Sequence, residues 1–283
     1  MKDPFGREIT YLRVSVTDRC NLRCRYCMPA EGLKMLRHED ILSYEEIVEA
    51  VVAAVGMGIR KVRLTGGEPL VRRGVLGLVS MLSGIDGVED LAMTTNGTLL
   101  AGKASALKAA GLRRVNVSLD AIDPARYEQI TRGGSVADAI VGIDAAIAAG
   151  LTPVKINCVV ARSPDEPTGD PGPGVIKEFE ALGPDARDVA AFAADRGCQV
   201  RFISEMSLAA GQFSTVRGGT GGHCPTCNRL RLTSDGYIRP CLFSNLKFDV
   251  RKFGPRQAIR LAVAAKPQAG LTCDDRTMNG IGG

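Results

Sequence analysis

The sequence of 283 residues contains no tryptophan, and aromatic residues make up only 5% of it. A hydrophobic core must therefore be built from Val, Leu, Ile and Ala. The sequence has no long run of Lys or Arg, which argues against a nucleic-acid partner. The net charge of +5 suits an anionic small molecule, although a slight cationic excess on a solvated surface explains it equally well.

Long hydrophobic runs are also missing. The most apolar stretch, residues 47–55, is interrupted by Glu49 and is too short to span a bilayer. The first residues lack the apolar segment of a signal peptide. We therefore expect a cytoplasmic protein with no membrane partner, in which thiols stay reduced. Nine cysteines in such a chain call for an explanation, and metal binding is the first to consider.

β-branched runs alternate with Ala-rich segments along most of the chain. This alternation predicts six β/α units and a parallel sheet with right-handed crossovers. The predicted strands are 12–16, 61–65, 90–94, 114–119, 153–160 and 199–203, and the predicted helices begin near residues 44, 74, 101, 136 and 185. Such a sheet can be open and doubly wound. We favour a partial (β/α)6 TIM-like barrel, with ligands at the carboxyl ends of its strands.

Two stretches interrupt the β/α pattern. Residues 163–173 are rich in Pro and Gly and predict a surface loop. Residues 207–223 are rich in Gly and predict a linker. The chain is therefore divided into a β/α region (1–206), a linker (207–223) and a Cys-rich C-terminal segment (224–283).

A first set of cysteines, Cys20, Cys24 and Cys27, directly follows the first predicted strand. Three thiolates at this spacing can hold three of the four irons of a [4Fe–4S] cluster. The alternative is a structural zinc site with His38 or a distant cysteine as fourth ligand. The loop position, at the carboxyl end of a strand, favours a catalytic role.

A second set, Cys224, Cys227 and Cys241, lies in the C-terminal segment. Spacing alone leaves zinc, with Cys273 as a fourth ligand, and an iron–sulfur cluster equally open. Cys158 and Cys198 fall in or beside predicted strands and are expected to be buried, inert thiols.

These motifs resemble those of the radical S-adenosylmethionine (SAM) superfamily. Its cluster motif is Cx3CxxC, and Gly66-Gly67-Glu68-Pro69 is similar to its GGEP segment. The second cysteine set, with 228–236 between its members, resembles that of the GTP 3′,8-cyclase family. The resemblance implies two [4Fe–4S] clusters, each with an open iron. One would bind SAM and the other the guanine of GTP.

The resemblance also extends to single residues. It implies SAM contacts at Tyr26, Gly66, Gly67, Glu68, Ser118 and Met206. It implies GTP contacts at Arg13, Arg63, Thr94, Lys155, Arg229, Leu230 and Arg231. Arginine suits this work because its planar fork offers paired donors to purine acceptors or phosphate oxygens. The final Gly282-Gly283 matches a tail that enters the active site in the family.

The activity implied is cyclisation of GTP to (8S)-3′,8-cyclo-7,8-dihydroguanosine 5′-triphosphate, the first step of molybdenum cofactor biosynthesis. It requires an external electron donor and supplies a downstream cyclic pyranopterin monophosphate synthase; a homodimer is left open. Two alternatives are a peptide-modifying radical SAM enzyme with an auxiliary cluster and a non-catalytic metal- or nucleotide-binding relative. The first has no need of the two arginines Arg229 and Arg231.

The chain departs from the family pattern between Met206 and Cys224, where it is several dozen residues shorter. The Gly-rich linker left there offers few apolar side chains, so we expect it to be mobile. A mobile linker would let the two clusters drift apart, and small misplacements of a reacting group are costly to rate. SAM cleavage would then be poorly coupled to GTP cyclisation.

Overall fold

A computed structural model describes residues 1–162 and 182–274 of the chain. The Pro/Gly-rich loop at 163–173 and the Gly-Gly tail lie outside these ranges. The strands are β1 (Tyr11–Ser15), β2 (Lys61–Thr65), β3 (Asp90–Thr95), β4 (Arg114–Ser118), β5 (Lys155–Val160), β6 (Gln199–Ser204), β7 (Arg229–Leu232), β8 (Tyr237–Arg239) and β9 (Phe248–Asp249). The helices are α1 (Tyr44–Val55), α2 (Val75–Ser83), α3 (Ala104–Ala109), α4 (Pro124–Thr131), α5 (Val136–Ala148), α6 (Pro184–Asp195), α7 (Val250–Phe253) and α8 (Pro255–Ala264).

One mixed sheet contains all nine strands, in the order β6-β5-β4-β3-β2-β1-β7-β8-β9. The strands from β6 to β7 pair in parallel, and β8 and β9 continue the sheet antiparallel. The sheet is not closed, since β6 and β9 are its edges. The predicted α/β fold with a partial barrel is confirmed.

The predicted β/α units are all present, with small shifts in their bounds. The helix predicted to begin near residue 44 starts with a capping box, in which Ser43 accepts from the Glu46 N–H and the Glu46 carboxylate accepts from the Ser43 N–H. The sequence analysis missed α4, α7, α8 and the three C-terminal strands. These strands have only two to four residues, too few for periodicity to distinguish them from loops.

The core lies between the outer face of the sheet and the helices. Leu12, Val14, Leu64 and Met93 are fully buried there, since alternate residues of a strand point to opposite faces. Leu230 from β7 belongs to the same core. Among the described helices, none is long and apolar enough to cross a membrane.

The linker is anchored, so the expectation that it lacks support is wrong. Its Arg217 exchanges two backbone hydrogen bonds with Phe202 of β6, at 3.0 and 3.1 Å. Its Leu208 and Phe213 are buried, and the Phe213 ring packs on Phe243 with 4.6 Å between centroids. The few apolar side chains of the linker are therefore the ones that attach it to the C-terminal segment. The structural reason for poor coupling is thereby removed.

Candidate active site

One cavity of about 340 Å³ joins both cysteine sets at the carboxyl ends of the parallel strands. Most of the residues predicted for the site line it. They are Arg13, Cys20, Cys24, Tyr26, Cys27, Gly66, Gly67, Thr94, Ser118, Met206, Cys224, Cys227, Arg229, Arg231 and Cys241. The side chains of Arg63, Glu68, Lys155 and Leu230 do not line it.

The loop of the first cysteine set is held by the end of α4. The backbone N–H groups of Arg23 and Arg25 donate to the carbonyls of Thr131 and Ile130, both at 3.0 Å. Burial, with the neighbouring Asp120 and Cys20, raises the pKa of Cys24 to about 12. Without metal these thiols therefore keep their protons. Bound iron would displace these protons, because its positive charge favours the thiolate form.

The donor set fits a cluster. Three free cysteines from one short loop face one cavity, and a [4Fe–4S] cluster takes one thiolate on each of three irons. Within residues 1–162 and 182–274, no three His, Cys, Asp or Glu side chains lie close enough to hold a single metal ion. A cluster does not require such convergence, because each thiolate binds a different iron.

Gly66 and Gly67 press against the backbone that leads into the first cysteine set. The Gly67 N–H donates to the Thr17 carbonyl, and the Glu68 N–H to the Arg19 carbonyl, both at 2.8 Å. A Cβ atom at Gly67 would overlap the Arg19 carbonyl oxygen. The sequence analysis explained the glycines by their resemblance to a SAM-binding segment, and the structure adds that they seat the loop of the first cysteine set.

The Glu68 carboxylate, for which the resemblance implied a SAM contact, is hydrogen-bonded within the protein. It is fully buried and accepts hydrogen bonds from the Leu70 N–H (2.9 Å), the Thr95 hydroxyl (2.8 Å) and the Asn96 N–H (2.7 Å). Asn96 lines the cavity. Glu68 therefore orients the loop after β3.

The buried Glu68 makes the metal-free protein sensitive to pH. Burial raises the pKa of Glu68 to about 7, although the hydrogen bonds from Asn96, Leu70 and Thr95 act to lower it. The Glu68 carboxyl group therefore keeps its proton to a higher pH in the folded protein than in the unfolded protein. Stability from this group is full below the unfolded pKa and is lost as pH rises to about 7. We expect the unfolding free energy of the wild type, relative to Glu68→Gln, to fall by about 3 kcal/mol between pH 4.5 and 7.5.

Urea unfolding of the metal-free wild type and Glu68→Gln at several pH values measures this difference. The variant also loses an acceptor for the Asn96 N–H, which lowers its stability at every pH and leaves the slope unaffected. A pH-independent difference between the two proteins would contradict the assignment.

A second buried carboxylate fixes Tyr26, which lies between two cysteines of the first set. Asp120 accepts from the Tyr26 hydroxyl and from the Val159 N–H, both at 2.7 Å. Burial raises the pKa of Asp120 to about 6. The sequence analysis included Tyr26 and missed Asp120, although Asp120 directly follows β4, at the edge where ligands are expected.

The inner face of the barrel is strongly cationic. Arg13 of β1 stands in register with Arg63 of β2 on one side and with Arg231 of β7 on the other. The Tyr11 ring lies 5.6 Å from the Arg63 guanidinium carbon and 5.7 Å from that of Arg229. Burial, followed by repulsion from the other cations, lowers the pKa values of Arg13 and Arg231, the latter to about 10.

Several of these buried groups have polar atoms left without a protein partner. In the described ranges, Arg13 Nε, Arg63 Nε and Thr94 Oγ1 are buried and make no hydrogen bond. Arg201 Nε and Asn116 Nδ2 share this property and were missed by the sequence analysis. Unpaired buried donors are costly, and of these residues Arg13 and Thr94 line the cavity, where a polar ligand would supply the missing partner. Alternation along β6, which places Arg201 on the face opposite Phe202, is the signal that could have found it.

The second cysteine set lies in cationic surroundings. Burial alone would raise the pKa of Cys227, but Lys266 and Arg229 outweigh it and lower the pKa. Arg229 and Arg231 face the cavity from β7. Leu230 between them is 1% exposed and packs in the core, so its side chain is not a GTP contact. Lys155 is half-buried deeper in the barrel, near Arg201.

Of the remaining cysteines, Cys158 and Cys198 lie in the β/α region, whereas Cys273 belongs to a small apolar cluster against which Cys224 and Cys241 pack. Cys158 is buried, as expected, and burial raises its pKa. Cys198 is only half-buried. Cys273 is fully buried and accepts a hydrogen bond from Arg239 at 3.3 Å.

Known proteins that are similar to this chain identify its family. The radical SAM superfamily profile matches residues 14–167. A GTP 3′,8-cyclase of Alkaliphilus oremlandii is 42% identical over 282 residues, which cover 88% of this chain and 86% of the relative. The chain belongs to the GTP 3′,8-cyclase family of radical SAM proteins. Membership brings SAM and [4Fe–4S] clusters as its cofactors.

A second family member, from Pelotomaculum thermopropionicum, is 42% identical over an alignment of 331 positions that spans all of both chains. Since this chain has 283 residues, several dozen aligned positions have no counterpart here. The expected shortening of the chain is confirmed.

Solved structures confirm the fold. SuiB of Streptococcus suis, bound to its precursor peptide SuiA, matches with a TM-score of 0.67 and 12% identity over 93% of this chain and 66% of SuiB. The protein anSMEcpe, with bound AdoMet and the Cp18Cys peptide, matches with a TM-score of 0.61 and 14% identity over 92% of this chain and 81% of its own. At such identities the likeness concerns the fold alone. The peptides bound to these neighbours therefore do not favour the peptide-modifying alternative.

Proposed function

We propose that this chain cyclises GTP to (8S)-3′,8-cyclo-7,8-dihydroguanosine 5′-triphosphate, the first step of molybdenum cofactor biosynthesis. The observation that carries the proposal is the single cavity that contains both cysteine sets together with Arg13, Arg229 and Arg231. A site for SAM chemistry and a site for an anionic nucleotide thus share one enclosed space. Family membership at 42% identity supports the same activity.

Cys20, Cys24 and Cys27 would hold the first cluster, and Cys224, Cys227 and Cys241 the second. When bound, the first cluster and SAM would supply the one-electron chemistry for hydrogen abstraction from C3′ of GTP. Gly66, Gly67, Ser118, Tyr26 and Met206 surround the SAM side of the cavity. Their backbone and side chains orient the reacting carbon, and orientation is the main contribution of the protein to such a step.

The cations of the barrel bind the triphosphate. Arg13 is half-buried and Arg231 is 8% exposed, and both line the cavity. Their desolvated charges attract an anion more strongly than surface charges do. Thr94 Oγ1 adds a free polar atom. Because these groups stand on strands, they hold the substrate in a fixed position and exclude water around the reacting carbons.

Two partners complete the proposal. An external one-electron donor reduces the protein, and a cyclic pyranopterin monophosphate synthase consumes the product. We also assign residues 1–206 to SAM chemistry and residues 224–283 to GTP binding. A homodimer stays a prediction.

GTP deuterated at C3′ tests the site of hydrogen abstraction. We expect the reconstituted protein, supplied with SAM and a reductant without oxygen, to transfer deuterium to 5′-deoxyadenosine, detected by mass spectrometry. Unlabelled 5′-deoxyadenosine formed together with cyclised product would exclude C3′. Cleavage of SAM without consumption of GTP would favour another radical SAM activity, and no SAM cleavage at all would favour a non-catalytic relative.

Arg229 and Arg231 of β7 are expected to bind the substrate and not to stabilise the fold. Replacing Arg229 or Arg231 by Ala should weaken GTP binding or turnover by about 1–3 kcal/mol, the range for charge-assisted hydrogen bonds, with iron content unchanged. GTP titration calorimetry and iron analysis measure the two effects separately. Arg126→Ala, which removes a surface ion pair with Asp185 and a hydrogen bond to Gln129, is the matched control. Loss of iron in the β7 variants would assign these arginines a structural role instead.

A further inference from the structure

Lys266, which follows α8, is buried although it carries an ammonium group. It is 3% exposed, and its Nζ donates to the carbonyls of Arg229 at 2.8 Å and Pro240 at 2.5 Å. Arg229 is two residues beyond Cys227, and Pro240 directly precedes Cys241. One ammonium group therefore ties together the two backbone segments that carry these cysteines.

The segment that carries Lys266 is itself fixed by Arg7. Its guanidinium donates to the carbonyls of Pro267 at 2.6 Å and Gln268 at 2.8 Å, and to the carbonyl of Cys224 at 2.9 Å. Asp3 accepts from the Arg7 Nε at 2.6 Å. The third cysteine of the set is thus connected to Lys266 through a buried ion pair near the N-terminus of the chain.

Burial of a lysine is rare unless its charge is compensated. The two carbonyls satisfy its hydrogen bonds and leave its charge uncompensated. Cys227 and Cys241 line the same cavity as Lys266, and thiolates or a cluster held there would compensate its charge. Lys266 also lines the cavity, so its charge acts directly on whatever the three cysteines hold.

We propose that Lys266 is a positioning residue for the second cluster, which fixes the segments of Cys227 and Cys241 and stabilises the reduced form of the cluster with its charge. The proposal rests on the proposed second cluster. Reduction adds one negative charge, and a fixed cation beside the cluster favours the form with that charge.

The test compares Lys266→Met, Lys266→Arg and the control Arg60→Met in a Cys24→Ala background, which is expected to keep only the second cluster. Met has a similar length and no charge. Arg60 also donates to two carbonyls, of Val55 and Ile59, at 3.1 and 3.0 Å, far from both cysteine sets in the sequence. The readouts are the midpoint potential by EPR-monitored titration and the rate of iron release to a chelator.

In Lys266→Met we expect the reduction equilibrium to shift about tenfold toward the oxidised form, which is about 59 mV for one electron, and iron release to be faster. Lys266→Arg should restore most of the potential, and Arg60→Met should leave it unchanged. An unchanged potential in Lys266→Met overturns the proposal, as does an equal shift in Arg60→Met. A Cys24→Ala parent without any cluster overturns the second cluster itself, and the role of Lys266 with it.

Discussion

Replacing Cys24 by Ala is expected to abolish SAM cleavage completely and to remove half of the iron, about four of about eight atoms per chain. Cys24 lies in the first cysteine set, in the loop held by α4, and no other cysteine of the described residues lines that part of the cavity besides Cys20 and Cys27. With two thiolates left, the cluster that binds SAM is not retained. Iron and sulfide analysis after anaerobic reconstitution, with quantification of 5′-deoxyadenosine, measures both effects.

The reciprocal variant gives the sharper comparison. Cys227→Ala should also lose half of the iron, because it removes the second cluster, but some SAM cleavage should survive while GTP cyclisation is lost. Cys198→Ala, a half-buried thiol outside both sets, is the control and should keep all iron. One equivalent of zinc with no iron, or equal loss of SAM cleavage in both variants, would contradict the assignment of two clusters.

Gly67→Ala is expected to reduce SAM cleavage by at least about a hundredfold, the cost of displacing a reacting group by about 1 Å. The added Cβ would overlap the Arg19 carbonyl oxygen, and Arg19 directly precedes Cys20. Backbone cannot rotate away as a side chain can, so the loop of the first cysteine set must shift. We expect the first cluster to be lost or loosely bound and the second cluster to be retained.

Gly77→Ala is the matched control, because Gly77 lies within α2 and a Cβ there meets nothing within 4 Å. This control should be as active as the wild type and slightly more stable, since Ala is favoured over Gly in a helix by about 1 kcal/mol. Unfolding curves and SAM-cleavage rates distinguish the two substitutions. Full activity of Gly67→Ala would show that the loop tolerates the displacement.

Much of the barrel could be predicted from the sequence, because its signals are local. Runs of β-branched residues identified β1 to β6, and Ser43 with Glu46 has the spacing of a capping box at the start of α1. The two cysteine sets and the Gly66-Gly67 pair were likewise found as short motifs. Resemblance of these motifs to a known family then supplied the substrate and the cofactors, which periodicity alone does not specify.

Other features were decided only by the tertiary structure. Alternation tells which residues share a face of a strand, but not which strands are neighbours, so the pairing of β7 with β1 could not be foreseen. That pairing brings Arg231 beside Arg13 and the second cysteine set to the first. Similarly, the motif that contains Glu68 does not reveal that Leu70, Thr95 and Asn96 donate hydrogen bonds to its carboxylate.

The linker and Lys266 show the same limit. Gly-rich composition predicted a mobile linker, whereas two buried side chains and a bridge to β6 anchor it. Lys266 belongs to no motif, and its partners lie 37 and 26 residues away along the chain. The sequence by itself determined the strands β1 to β6, the cysteine sets and the chemistry that these sets can support. Only the tertiary structure decided which side chains meet in the cavity, because burial and hydrogen-bond partners depend on contacts between distant segments.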